Sequence, residues 1–456
     1  MRLVPTTALH VILAQRMWQA GSGVITIVMI TSFLNPAQQG WYFSLLSLSA
    51  LYTLFDMGLS FVLVQAAAHE FVGLRWRAGG LVEGGNAERF AAVTAWAARH
   101  YLWLTLGFAI IITPAGMLFF STTSAAGIDW KMPWLVLASA SAAALLVLPF
   151  MAVVEGSGEV REVYIVRLIQ GVVAGFATWL AFLSGAGLWA VVMTPLATIA
   201  IQGLWLARWK PNLLKLALHG PHRLIRWRQE IWPHQWQLGL GWVCGYLLTQ
   251  IYTPVLFKVQ DAVVAGQMGL TMTASNMLGL LALSWITRHV PAMSRAVAMR
   301  EWAQFDALCR RDLMWSCLAF VAGAAALCVL HRLLSYTPYA DRVLPFWLFA
   351  GVLVSGFLGH VQNALGAQLR SFRREPLIWV SLVGAVLMAT GAVWGAVHYS
   401  ATGVVLSLLA VQALVILPAS TVIWRNCISR WKTSPPVAAA ALPSDVELGI
   451  VSHLDA

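Results

Sequence analysis

Runs of mostly apolar residues recur along the whole chain, each closed by a short polar turn. A helix rising ~1.5 Å per residue needs roughly 20 such residues to cross a bilayer core. The runs are Leu9–Phe33, Trp41–Val64, Tyr101–Phe120, Trp134–Val154, Val163–Leu183, Leu188–Leu206, Gln237–Val255, Gly269–Ile286, Leu313–Leu334, Leu344–Leu365, Leu377–Val397 and Gly403–Ile423. They predict 12 helical spans. Short segments of strictly alternating polarity, the mark of a spanning barrel, are missing from the sequence.

One stretch interrupts the pattern near the middle. ARWKPNLLKLALHGPHRLIRWRQE, from Ala207 to Glu230, carries Arg208, Lys210, Lys215, Arg223, Arg226 and Arg228 against Glu230 alone. Leu213, Leu214, Leu216 and Leu218 lie among these cations, a pattern that predicts a short amphipathic helix along anionic headgroups. The chain therefore divides into 1–206, a six-helix lobe; 207–230, a basic connector; 231–425, a second six-helix lobe; and 426–456, a Pro/Ala-rich tail without periodicity, expected to be disordered.

Composition agrees: 59% of the 456 residues are hydrophobic, 10% are charged, and the mean hydropathy is +0.74. This is an all-α polytopic membrane protein, not a soluble domain. The net charge of +11 would suit nucleic acid if the cations were clustered without regard to the spans. They are not. With a cytoplasmic amino terminus, 23 Lys and Arg residues fall on the inner side and only Lys131, Lys258, Arg332 and Arg342 on the outer. That asymmetry predicts both termini inside a bacterial inner membrane, and no nucleic-acid partner. The apolar character of the first span continues to Leu34 without a small-residue cleavage site, so it is expected to be a retained span rather than a signal peptide. Cys244, Cys309, Cys317, Cys328 and Cys427 show no metal-ligand spacing. The outer turns Asn35–Gly40 and Ser184–Gly187 leave no room for an outer domain.

A faint repeat links FLNPAQQGWYFSLLSLSALY to VVAGQMGLTMTASNMLGLLA, with Gln39–Gly40 and Gln267–Met268–Gly269 at comparable places. Six spans per half, each half starting inside, relate the halves by an axis along the membrane normal.

Few charges fall within the spans. Arg16 and Asp56 both lie roughly 11–13 Å from the inner boundary at ~1.5 Å per residue, within reach of one another. Two readings stand, a cation and carboxylate lining a path, or an ion pair joining the first two spans. Gln15 and Gln19 extend a polar stripe beside Arg16. Arg167 near the inner end of the fifth span either snorkels to headgroups or binds phosphate, and Glu155 offsets it or titrates. Lys258 and Asp261 at an outer turn either pair locally or place charge at the outer mouth.

LYTLFDMGLSFVLVQAAAHE (Leu51–Glu70), AVVEGSGEVREVYIVRLIQ (Ala152–Gln170) and the segment Trp236–Ala298 resemble the polysaccharide-flippase branch of the multidrug/oligosaccharidyl-lipid/polysaccharide exporter superfamily. The resemblance runs from the first span through the twelfth. It implies a MATE-like fold of about twelve transmembrane helices in two lobes. It also implies alternating-access translocation of undecaprenyl-diphosphate-linked oligosaccharide units for O-antigen, capsule or exopolysaccharide assembly, without bond-breaking chemistry. Under it, Arg16, Arg167 and Lys258 meet phosphate or acidic sugar, Gln15 and Gln19 hydrogen-bond the glycan, and Asp56, Glu155 or Asp261 serves gating or coupling to H+ or Na+. Membrane lipids, a polysaccharide polymerase and a chain-length regulator are the expected partners, with no other cofactor. The rival readings are an ion-coupled exporter of cationic drugs, which needs buried carboxylates in its cavity, and a membrane glycan polymerase or ligase, which needs a sizeable outer loop.

Overall fold

A computed structural model of the chain describes residues 6–85, 87–123, 127–220, 225–372 and 374–433. Arg2, Arg223, Arg373 and residues 434–456 of the tail lie outside them. The first lobe consists of α1 (Thr6–Phe33), α2 (Pro36–Glu70), α3 (Ala87–Ser121), α4 (Lys131–Gly156), α5 (Val160–Leu183) and α6 (Gly187–Trp209). The second consists of α7 (Trp232–Thr249 continued by Tyr252–Val259), α8 (Ala262–Met299), α9 (Trp302–Leu334), α10 (Phe346–Arg370) and the run Ile378–Thr433. Ser400, at φ 56°, breaks that run into α11 (378–399) and α12 (401–433). Beyond the break Gly395 and Gly403 cross so closely that a Cβ on either would lie within 2.5 Å of the other's backbone.

By length and apolarity nine helices are able to cross a membrane, or ten if bent α7 is one span, among the described residues. The first helix, diluted by Gln15, Arg16 and Gln19, is not among the nine, and the α11–α12 run counts once. Those two differences account for the twelve spans expected from the sequence. Several helices run past their apolar cores on the side that carries the connector, here the connector end. The helix α3 starts at Ala87 and α9 at Trp302, so Cys309 and Asp312 are helical where the sequence pattern placed a loop. The last helix continues to Thr433, so residues 426–433 are not a disordered tail. Lys432 Nζ reaches Asp306 at 2.6 Å and Trp431 packs on Phe372 at 5.0 Å, which holds the helix against the base of α9 and α10.

At the connector end, β1 (Arg75–Trp76) and β2 (Val82–Glu83) form a small antiparallel hairpin between α2 and α3. The connector helix Pro211–His219 buries Leu213 among Leu74, Phe90 and Leu206 of the first lobe. Lys210 is not turned to headgroups as its charge suggested. It is 6% exposed, pairs with Glu159 at 2.7 Å and sits 3.8 Å above the Trp76 ring. Arg89 joins the same layer, binding Glu70 and Glu230 at 2.8 Å each. The connector is thus docked onto one lobe by buried charge and leucine, and Ala207–Trp209 belongs to α6. Removing one partner of a buried pair strands the other charge, at a cost of roughly 3 kcal/mol that is greater the more deeply the stranded charge is buried, and the Lys210 side chain is 8% exposed against 24% for Glu159. Glu159→Gln is therefore expected to lower the thermal midpoint of the purified protein well below that of Lys210→Met. Midpoints of both variants equal to that of the unmodified protein would show that the pair contributes nothing.

The lobes meet at the opposite, far end. Asn35 caps α2, accepting from the Gln38 amide at 2.8 Å, and Asp261 caps α8, accepting from the Val264 amide at 2.8 Å. These caps are 226 residues apart, as are Gly40 and Gly266, and the two glycines touch. A Cβ on Gly40 would lie 1.6 Å from the Ala262 carbonyl oxygen, and one on Gly266 2.7 Å from the Gly40 nitrogen. Equivalent positions of the two halves thus cross, in a register three residues from the Gly40–Gly269 match read from the sequence; Gly269 packs on Phe43 instead. The sixth helix of each half also carries a π turn, Thr198–Gln202 and Gln412–Ile416.

Candidate functional site: a far-end seal, an inter-lobe arginine and a cavity in the second lobe

Gln39, 1% exposed, donates through Nε2 to the Gly266 carbonyl at 3.0 Å and the Arg342 carbonyl at 2.9 Å. One first-lobe side chain thereby holds two second-lobe segments. Beside it Trp41 meets Phe257 edge-on at 4.8 Å, with Phe120 and Trp130 packed around it. Gln267 adds a bond to the Asp341 carbonyl at 3.0 Å. Lys258 donates to Thr122 of the first lobe and lies over the Phe119 ring. It does not pair with Asp261, which caps α8; the sequence expectation of a local pair is corrected because each side chain has a nearer partner on a different element.

Deeper in the bundle the expected Arg16–Asp56 pair is also absent. Asp56, 6% exposed, accepts a hydrogen bond from the Tyr101 hydroxyl and one from Ser60 at 3.0 Å. It sits where α2 breaks, at left-handed Met57 and Gly58. At Gly58 the positive φ and the nearness of Leu238 and Trp242, both 2.9 Å from a would-be Cβ, require glycine. Spacing along the helix axis gave similar depths for Arg16 and Asp56, but depth does not fix azimuth.

Azimuth decides where Arg16 points. Trp18 packs on α5, against Phe176 and Trp179 and over Gly171 and Gly175. At about 100° per residue Arg16 lies on roughly the opposite side of α1 from Trp18 and close to the azimuth of Gly23, two turns along. A Cβ on Gly23 would meet Met277 of α8 at 2.5 Å, so this face looks across at the second lobe. Arg16 is exposed there, with Gln19 exposed and Gln15 half-buried to either side. Arg167, one turn from Gly171 on α5, is on the other side of α1, so the two arginines do not converge. Arg167 is instead held by Glu155 at 2.8 Å and lies 5.2 Å from the Tyr164 ring, so Glu155 offsets it.

A feature that the reading of charged residues passed over is a cavity of about 560 Å³ inside the second lobe, between α7, α8, α10, α11 and α12. Its polar wall includes Asn276, His360, Gln362, Asn363 and Gln412, while Arg370 and Glu375 stand at its connector-end margin. Gln412 opens the π turn of α12, and donates to Gln362 Oε1 at 3.4 Å; Gln362 donates to Ser381 at 3.3 Å. Ser316 gives its proton to the Ala282 carbonyl at 2.8 Å and lies 2.6 Å from His360 Nε2. With its proton given to Ala282, the Ser316 oxygen accepts from the Nε2–H of His360. Below Ser316, buried Asp312 binds His289 at 2.7 Å and Arg311 at 3.2 Å. Amides recurring on α8, α10 and α12 were the available sequence signal.

No family model and no curated protein matches the chain. Solved structures do. The MATE multidrug transporter DinF-BH superposes with a TM-score of 0.62 at 13% identity, over 93% of this chain and 96% of that one. The lipid II flippase MurJ in an inward closed conformation gives 0.61 at 11%, over 93% and 92%. An inward-facing multidrug resistance MATE family transporter of the MOP superfamily gives 0.60 at 14%, over 94% and 99%. End to end, the chain therefore has the two-lobed helical fold of the MATE and MOP superfamily transporters.

Proposed function

We propose that the chain is a flippase moving polyprenyl-diphosphate-linked oligosaccharide units across a bacterial inner membrane, by alternating access between the two lobes and without breaking a bond. The observation that carries this reading is the chemistry of the second-lobe cavity, amides and hydroxyls inside and charge only at its margin. A pump for cationic drugs needs a carboxylate aimed at its cargo. Asp56, the deep carboxylate of the first lobe, is already engaged by Tyr101 and Ser60, and the one acid of the cavity, Glu375, lies 3.9 Å from Arg370. Multidrug transporters and a lipid II flippase share the fold equally, so the side chains favour the flippase, not the neighbours.

In this reading the connector end faces the cytoplasm, where the distribution of Lys and Arg puts it. The sealed far end is then the periplasmic gate. Arg16, exposed on the inter-lobe face, attracts the diphosphate from the inner leaflet, while the polyprenyl tail stays in lipid. Polymerase and chain-length regulator would take the unit after release.

Deletion of the gene is expected to abolish surface polysaccharide and to accumulate lipid-linked units in the inner leaflet. Wild type should restore polymer. Arg16→Ala should restore less than a tenth of it while reaching the membrane in normal amount, because an exposed substitution shifts stability by only about 0.5 kcal/mol. Normal polymer in a deletion strain without a redundant flippase would remove this function and bring the drug exporter forward.

A further inference from the structure

The cavity in the second lobe has a more specific use than its volume alone indicates. It lies within the roughly 300–1,000 Å³ range of small-molecule sites. Its hydrogen-bonding groups come from helices rather than loops, and one of them is positioned by unusual backbone. Gln412 stands at the first residue of a π turn, a distortion frequent at functional sites. Opposite it α10 has Gly359, where a Cβ would come within 3.3 Å of Gln412 Nε2. One turn away Gly356 leaves room for Ser275, whose Oγ would lie 2.2 Å from a Cβ there. Small residues on α10 thus give the polar groups of α8 and α12 their space.

The inventory of donors and acceptors identifies the kind of ligand. Asn276, Asn363, Gln362 and Gln412 each present both a carbonyl oxygen and an NH₂ group, and His360, tied to Ser316 through Nε2, adds its other ring nitrogen. Hydroxyl groups, each one donor and two acceptor lone pairs, match such a wall. A phosphate does not. It carries acceptors only, its burial without cations is costly, and Arg370, the one Lys or Arg of the wall among the described residues, stands at the margin with Glu375. The Arg16 face of α1, by contrast, is cationic and belongs to the other lobe.

We infer that the second-lobe cavity is a subsite for the uncharged, polyhydroxylated part of the cargo, its sugar residues, and that the anionic linkage is held outside it. This rests on the flippase reading and extends it, because it divides the cargo between the lobes: glycan to the second, phosphate toward Arg16 of the first. Recognition is by hydroxyl pattern, and a probe lacking hydroxyls forms none of the hydrogen bonds that the wall offers.

The test uses the full chain in lipid nanodiscs with two photoreactive probes of identical eight-carbon chain, octyl glucoside and octyl phosphate, each carrying a diazirine beside the headgroup. Adducts are mapped by mass spectrometry. The glucoside is expected to label α7, α8, α10 and α12 around the cavity at least tenfold more than the phosphate, and Gln362→Leu/Gln412→Leu to reduce that labelling about tenfold. Because the double variant removes buried hydrogen bonds, Asn363→Ala, at an exposed position of the wall, is measured beside it and is expected to lower glucoside labelling without altering the melting temperature. Equal labelling by both probes, or glucoside labelling unchanged in both variants, would overturn the inference. Deletion phenotypes keep the two claims apart. Labelling as expected with normal polymer in the deletion strain leaves a sugar site and removes the flippase. Lost polymer without cavity labelling leaves the flippase and removes the subsite.

Discussion

A Gly40→Val protein is expected to lose the closed far end. The added Cβ would fall 1.6 Å from the Ala262 carbonyl oxygen, a backbone atom that cannot rotate away, so α2 and α8 must part. Parting them takes the two Gln39 bonds with it, each a net contribution of about 0.5–1.5 kcal/mol. With 1.4 kcal/mol per tenfold, the closed population falls by roughly fivefold even at the low end. Spin labels at Lys131 and Arg332, exposed far-end positions on opposite lobes, should show a longer and broader distance distribution than in the wild-type background. A distribution indistinguishable from wild type would mean that this crossing does not hold the lobes together. Gly266→Val should behave alike, as its mate in the other half.

The second large effect concerns the break in α2. Tyr101→Phe removes one of the two hydroxyl donors to a buried carboxyl group, and a buried acceptor left unsatisfied costs about 1–3 kcal/mol. The thermal midpoint in detergent should fall accordingly, and a cycle of Tyr101→Phe, Asp56→Asn and the double variant should give a coupling of that size. A coupling near zero would assign Asp56 to something other than holding α3 against the kink.

Much of this molecule was legible from periodicity. Twelve apolar runs, the basic connector and the two-fold organisation follow from hydrophobicity and from where Lys and Arg fall, because a bilayer imposes length and polarity on every span. Partnership was not legible. Arg16 and Asp56 have matching depths yet face different neighbours, Lys258 reaches across to Thr122 rather than three residues along to Asp261, and Lys210 is buried over Trp76. These outcomes depend on helix azimuth and on tertiary crossings, which one-dimensional spacing leaves open. Arg167 with Glu155 is the exception, since both lie at the connector end of adjacent helices. The cavity was missed for a related reason: attention to charge in an apolar chain overlooks Gln362, Asn363 and Gln412, whose amides are neutral and gain meaning only when two helices bring them to one wall.

The glycine crossing bears on speed as well as position. A gate built from interlocking side chains must find and leave particular rotamers each time it cycles, and ordering them costs entropy. At Gly40 and Gly266 there are no rotamers to search, so the backbones engage and separate as smooth surfaces. Kinetic resistance to opening then resides in the Gln39 amide and the Trp41–Phe257 contact beside it, two latches small enough to be exchanged for contacts with a passing cargo.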